Sequence, residues 1–153
     1  MRITMMMAAL LAVACESTGT LTAEEEANLA ALRSHVVAYN AQEEGWQGRL
    51  LAEDFTYHGF GPWAPQGMTA NREELIAMMG GAAGMFPDRT MTIRNLIAAG
   101  DTVVMEMEWV GTVAGKHPVL KPGDQQRLRE VIIHRFRDGE IVEMRDYGVP
   151  MAP

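Results

Sequence analysis

Residues 129–147 constrain this chain more than any other stretch. Arg129-Glu130-Val131-Ile132-Ile133-His134-Arg135-Phe136-Arg137-Asp138-Gly139-Glu140-Ile141-Val142-Glu143-Met144-Arg145-Asp146-Tyr147 reads as two strands around an Asp-Gly turn. Polar residues interrupt what should be a continuous apolar face. Side chains alternate strictly along a strand, so Arg135 and Arg137 take one face and Ile132, His134 and Phe136 the other. On the second strand Glu143 and Arg145 oppose Val142, Met144 and Asp146. With the arginines in water, His134 and Asp146 face inward. Aligning the inward faces puts Phe136 opposite Val142 and Ile132 opposite Asp146, with Gly139 at a left-handed bulge position. Glu130 and His134 then become diagonal neighbours of Asp146. Two acids and a histidine on an inward face are costly unless paired, hydrated or used, so the pattern predicts an internal pocket.

The N-terminus carries a different signal. Met1-Arg2 precedes an uncharged, mostly apolar run over residues 3–14, too short to span a bilayer as a helix. Leu11-Ala12-Val13-Ala14-Cys15 resembles the lipobox of bacterial lipoproteins, which implies cleavage before Cys15 and its lipidation. An ordinary secretory signal, or a start at Met5, Met6 or Met7, is the competing reading. Cys15 is the only cysteine, so no intrachain disulfide can form. The expected organisation is a signal over residues 1–14, a lipidated tether over 15–22, one domain over 23–149 and a tail over 150–153. Removing residues 1–14 takes away one basic residue, Arg2, and moves the formal charge from −7 to −8. No basic cluster remains apart from the scattered arginines of the hairpin. That argues against nucleic acid, and against a membrane contact other than through the N-terminal lipid. Glu16 after the cysteine, where inner-membrane retention would favour aspartate, points to an outer-membrane lipoprotein facing the periplasm.

Along the chain, Thr22 and Glu25 form a capping box that opens a helix to about residue 45, with Leu29, Leu32, Val36 and Tyr39 on one stripe. A short second helix is expected over residues 46–52, a strand over 54–58 and a Gly/Pro loop over 59–67 holding Trp63. Asn71 and Glu74 cap a third helix, expected to stop at Gly80-Gly81. Strands over 89–99 and 102–113, a loop over 116–124 and the final hairpin complete a four-strand antiparallel meander. Helices collected on one face of an antiparallel sheet give an α+β architecture.

This order resembles the nuclear transport factor 2-like superfamily, and within it the SnoaL-like polyketide or ester cyclases. The resemblance rests on Phe86-Pro87-Asp88, Gly100-Asp101-Thr102-Val103-Val104, Gly111-Thr112-Val113-Ala114-Gly115, Pro122-Gly123 and Asp138-Gly139-Glu140-Ile141-Val142-Glu143, in that order. It implies a cone-shaped domain whose curved sheet wraps three helices around a pocket. Val113 stands where the subfamily often has a histidine. Arg145-Asp146-Tyr147 and Asp54-Phe55-Thr56-Tyr57 resemble segments of limonene-epoxide-hydrolase-like proteins, in which the aspartate activates water and the tyrosine helps hold it. The arginine and second aspartate of that family are replaced by Met107 and Trp109. Ketosteroid isomerases would need acids near His58 or Gly59 and near Ile132. The polyketide cyclases use a last-strand aspartate as acid/base, which implies that role for Asp146.

The expected catalytic set is therefore Asp146 as acid/base, His134 orienting it with a raised pKa, and Tyr57 as hydrogen-bond donor. The expected pocket adds His58, Trp63, Met105, Met107, Trp109, Glu130, Ile132, Phe136 and Met144. Four histidines without close spacing give no metal motif, and no phosphate-binding loop follows a strand, so neither metal nor cofactor is expected. The partners expected are a small apolar molecule and a second copy of the chain. That copy would dock on the outer sheet face bearing Glu106, Glu108, Val131, Ile133 and Arg135. The alternative reading, favoured by Met107, Trp109 and Ile132 where catalytic partners would stand, is a non-catalytic lipoprotein that binds a hydrophobic ligand or docks another protein. Fractionation of cells expressing wild type and Cys15→Ser tests the anchor. Loss of membrane association in the variant is the expected outcome; persistence refutes it.

Overall fold

The computed structural model describes residues 19–151. The expected signal, Cys15 and the last two residues lie outside these. The element order is α1 (Ala23–Asn40), a 3-10 turn (Trp46–Gly48), β1 (Leu51–Gly61), β2 (Ala64–Asn71), α2 (Arg72–Met85), β3 (Thr90–Ala99), β4 (Thr102–Thr112), β5 (Gln125–Arg137) and β6 (Glu140–Pro150). The α+β class is as the pattern implied. The strands form one curved sheet in the order β2-β1-β6-β5-β4-β3. All neighbours pair antiparallel except β1 and β6, which run parallel. The expected four-strand meander is thus four strands of a six-strand sheet.

Both capping boxes are formed. The Thr22 hydroxyl accepts from the Glu25 amide, and the Glu25 carboxylate accepts from the Thr22 amide at 2.8 Å. The other Glu25 oxygen accepts from the Gly100 amide in the β3–β4 turn, so one side chain pins the start of α1 to the sheet. The Thr22 and Gly100 amides, and then the Thr22 hydroxyl, hold the Glu25 carboxyl below its ordinary range. The helix ends at Asn40, short of the expected residue 45, because the Asn40 amide side chain bonds both the backbone N–H and C=O of Met91 on β3.

Three other expectations are corrected. The second helix is a single 3-10 turn: Trp46 is buried beside Tyr39, and Arg72 donates to the carbonyls of Gly48 and Leu51, turning the chain into β1. Only two α-helices therefore cover the sheet among the described residues. The loop over 59–67 is largely a hairpin of β1 and β2 turning at Pro62-Trp63, with Pro65 tolerated because β2 is an edge strand. Helix α2 passes through Gly80-Gly81 to Met85. Two interior glycines cost about 1 kcal/mol each relative to alanine, a cost offset by packing Met79 and Met85 against the core.

The final hairpin keeps its inward faces with a different turn. Asp138 and Gly139 both have positive φ, 54° and 82°, which makes a tight two-residue turn pairing Arg137 with Glu140. Phe136 consequently pairs with Ile141, and Val142 is taken up as a bulge. Beyond the bulge the register is the expected one, with Ile132 opposite Asp146.

Thr22→Ala should lower stability by about 1 kcal/mol. Glu25→Ala should cost more than Thr22→Ala, since it also frees the Gly100 amide. Urea unfolding with unchanged m-values checks both, and equal losses in the two variants would refute the sheet tie.

Candidate active site

Tyr57 and Asp146 meet because β1 runs parallel to β6, with Gly59 beside Asp146 and Tyr57 beside Met144. The Tyr57 side chain lies along its own strand over Gly59, where a Cβ would stand 2.6 Å from the phenol oxygen. A side chain at position 59 would therefore block its path. The Tyr57 hydroxyl donates to Asp146 Oδ2 at 3.0 Å, in a buried bond. Asp146 Oδ1 is buried and has no hydrogen-bond partner. Burial raises the Asp146 carboxyl well above the ordinary carboxylate range, and the Tyr57 hydrogen bond opposes that only in part.

Glu130 is the second buried carboxyl, 6 % exposed. It sits opposite Gly148 and diagonal to Asp146. The expectation of an inward Glu130 on this strand is met. Its carboxyl is raised by burial first and then by the negative charge of Asp146. Trp63, carried on the β1–β2 turn, lies over Gly148, and a Cβ there would collide with the indole and come within 3.2 Å of Glu130 Cγ. Two strand glycines thus make room for the aromatic groups that flank the acids. The Tyr57 hydroxyl is raised by burial and by the charge of Asp146, and the Trp63 indole opposes this.

The other residues expected to line an internal pocket are packed together, and neither cavity found among the described residues is lined by Asp146, Glu130 or Tyr57. Met105, Met107, Trp109 and Ile132 are buried in one core cluster, with Met144 partly buried against it. The Trp109 indole donates to the Tyr39 hydroxyl at 2.6 Å, and burial pushes that phenol up to about 12. Arg89 is 4 % exposed, and its guanidinium stacks 5.0 Å from the Tyr39 ring centroid and 5.9 Å from that of Trp46. No sequence signal marked Arg89 as buried, since it follows a Pro-Asp turn at the mouth of a strand.

Three expected members are placed elsewhere or behave differently. His134 is fully inward, as its parity requires, yet makes no hydrogen bond with Asp146, and its Nδ1 has no partner. Its pKa is lowered to about 3, by burial and then by His35, which reverses the expected rise. His35 is itself pushed down to about 4 by burial. His58 faces the other side of the sheet, with Nε2 3.9 Å from Glu143. Phe136 belongs to a second core cluster with Phe55 and Val103. A cavity of about 470 Å³ also opens on that outer face, lined by Thr56, His58, Arg135, Phe136, Arg137 and Glu143 among others. Arg135, expected to answer a second copy, is paired with Glu143 at 3.1 Å in its own chain, and Glu108 with Arg94 and Arg129.

Residues 22–144 match the SnoaL-like domain, and the chain belongs to that family. The match stops two residues before Asp146. No curated protein matches the sequence significantly. Among solved structures, AclR from Streptomyces galilaeus, a candidate hydroxylase, is similar with a TM-score of 0.71 and 20 % identity over 81 % of this chain and 79 % of that one. IdmH from Streptomyces antibioticus, a candidate polyketide cyclase, gives 0.68 and 24 % over 79 % and 91 %. A protein of ketosteroid isomerase-like fold from Catenulispora acidiphila, in complex with trimethylamine, gives 0.61 and 24 % over 76 % and 83 %. These identities establish the shared fold and nothing finer.

The buried groups set a pH profile for stability. Glu130 and Asp146 are raised on folding from ordinary values of 4.5 and 3.8, so they favour the folded chain at low pH and lose that contribution as pH rises through their folded values. His35 and His134 are lowered from 6.5, so their contribution is present above 6.5 and is lost as pH falls toward about 4 and about 3. The urea midpoint should therefore be broadest and highest between about 4.5 and 6.5, falling on both sides. Glu130→Gln should flatten the alkaline limb. A wild-type midpoint that climbs from pH 6.5 to 9 contradicts this assignment.

Proposed function

We propose that this chain is a cofactor-independent acid/base enzyme acting on a small, largely apolar oxygenated molecule, with Asp146 as the proton-transfer group. The observation that carries this reading is the Asp146 carboxyl itself. One oxygen is held by Tyr57, the other is buried without a partner, and burial raises the group above its ordinary range. An efficient acid/base group has a pKa near the operating pH and sits in a site that excludes water. Tyr57 keeps the carboxylate oriented and donates a hydrogen bond. The reaction classes open to one positioned carboxyl are aldol-type cyclisation, isomerisation and hydrolysis. Membership of the SnoaL-like family and the likeness to IdmH, a candidate polyketide cyclase, support cyclisation. His134 has no part in this reading, because a neutral histidine without a bond to Asp146 cannot orient it.

The cellular setting belongs to the same proposal. The motif ending at Cys15 supports an envelope lipoprotein whose domain hangs from a short tether on the periplasmic face of the outer membrane. Assembly as a homodimer would use the outer sheet face, where the exposed Phe60 and Tyr147 stack at 5.3 Å.

Asp146→Asn keeps the shape and removes proton transfer, so it should lower kcat about 100-fold or more while KM changes little. Tyr57→Phe should cost less and should shift the acidic limb of the pH–rate profile upward, since the Tyr57 bond lowers the pKa of Asp146. Assays on small cyclic and hydroxy-ketones measure both. Unchanged turnover in Asp146→Asn refutes the assignment.

A further inference from the structure

We infer that Glu130 is a second catalytic acid: it shares one proton with Asp146 across the β5–β6 register and donates that proton to the substrate oxygen as Asp146 takes one from carbon. The inference rests on the reading of Asp146 above and extends it to a second residue and a substrate class.

The placement is geometric. Ile132 pairs with Asp146 and Glu130 with Gly148, so the two acids are diagonal neighbours on one face, about 7–8 Å apart at the backbone. Both are buried, and Asp146 Oδ1 has no partner in the protein. The groups facing them are Tyr57 from β1, bonded to Asp146, Tyr39 from α1, near enough to Glu130 to feel its charge, and His134 along β5. None of these is a cation at neutral pH. The buried cation Arg89 is spread over the Tyr39 and Trp46 rings, and no ion pair to either acid is formed among the described residues. Two like charges in such a site cannot both be carried, so one proton stays. Tyr57 donates to Asp146 and favours the charge there, which leaves the proton on Glu130.

A neutral ketone with an acidic α C–H suits this arrangement. The Asp146 carboxylate removes the α-proton, the C–H electrons form the C=C bond, and the carbonyl oxygen takes the Glu130 proton. The enol then leaves Asp146 protonated and Glu130 ionised, with net charge unchanged. Reprotonation at carbon by Asp146, with return of the enol proton to Glu130, restores the pair. An anionic substrate would add a second charge beside the first and is disfavoured.

Two measurements on the full-length chain test this. In a carbon-13 NMR titration of labelled carboxyls, Glu130 should titrate above neutrality and fall by more than one pH unit in Asp146→Asn. A Glu130 titrating near 4.5 in wild type overturns the shared proton, whatever the catalysis. In deuterated buffer, exchange of the α-protons of 2-tetralone should slow about 100- to 10,000-fold in Glu130→Gln with little change in KM, and Glu130→Asp should recover part of the rate. Wild-type exchange in Glu130→Gln alongside a dead Asp146→Asn overturns the role of Glu130 and leaves Asp146 in place. No exchange in wild type removes the acid/base reading and the catalytic role of Glu130 together, while the titration still decides the shared proton.

Discussion

The parallel pairing of β1 with β6 is the constraint on which the site depends. It joins residues that lie 89 apart in the chain, and without it Tyr57 and Asp146 would never meet. Parallel strands cannot be joined by a tight turn, so everything between β1 and β6 acts as the crossover. The β2 strand, helix α2, the β3–β4 hairpin and β5 all lie between the two paired strands in the chain. The site is therefore a product of long-range pairing and of no single local segment.

Burying acids without counter-charges works against stability, and the surroundings limit the damage. A carboxyl that keeps its proton avoids most of the desolvation cost of an ion. Tyr57 satisfies one oxygen of Asp146, and methionine and tryptophan side chains fill the space around the pair. Arg89, which could have neutralised them, is instead held over two aromatic faces. That arrangement preserves the acidity of the pair at the expense of folding energy, the trade expected where polar groups serve chemistry. By contrast, the outer-face ion pair of Arg137 with Asp54 joins two exposed partners and contributes little.

The buried His134 illustrates how burial alone can reverse an inference from neighbours. His134 lies near Asp146 in register, and an adjacent carboxylate would ordinarily raise it. It is instead enclosed near His35, each ring leaving Nδ1 without a partner. Desolvation outweighs a carboxyl that makes no hydrogen bond with it.

Much of this could be read from residues in order. Strand parity placed Glu130, Ile132, His134 and Asp146 on one face, because alternation is a local property of extended backbone. Both capping boxes were visible for the same reason, each being a relation between residues three apart. What local sequence could not decide was pairing between distant strands. It could not show that residues 59–67 make a hairpin, that α2 continues through Gly80-Gly81, or that Val142 bulges to accommodate a tight turn, since each outcome was set by packing energy gathered elsewhere. The chain by itself determined which groups face inward. Only the tertiary structure decided which of them touch: Tyr57 reaches Asp146 over Gly59, while His134, on the same face, does not. The physical reason is that hydrogen bonding and desolvation depend on ångström-scale distances between segments, and alternation along a strand carries no information about those distances.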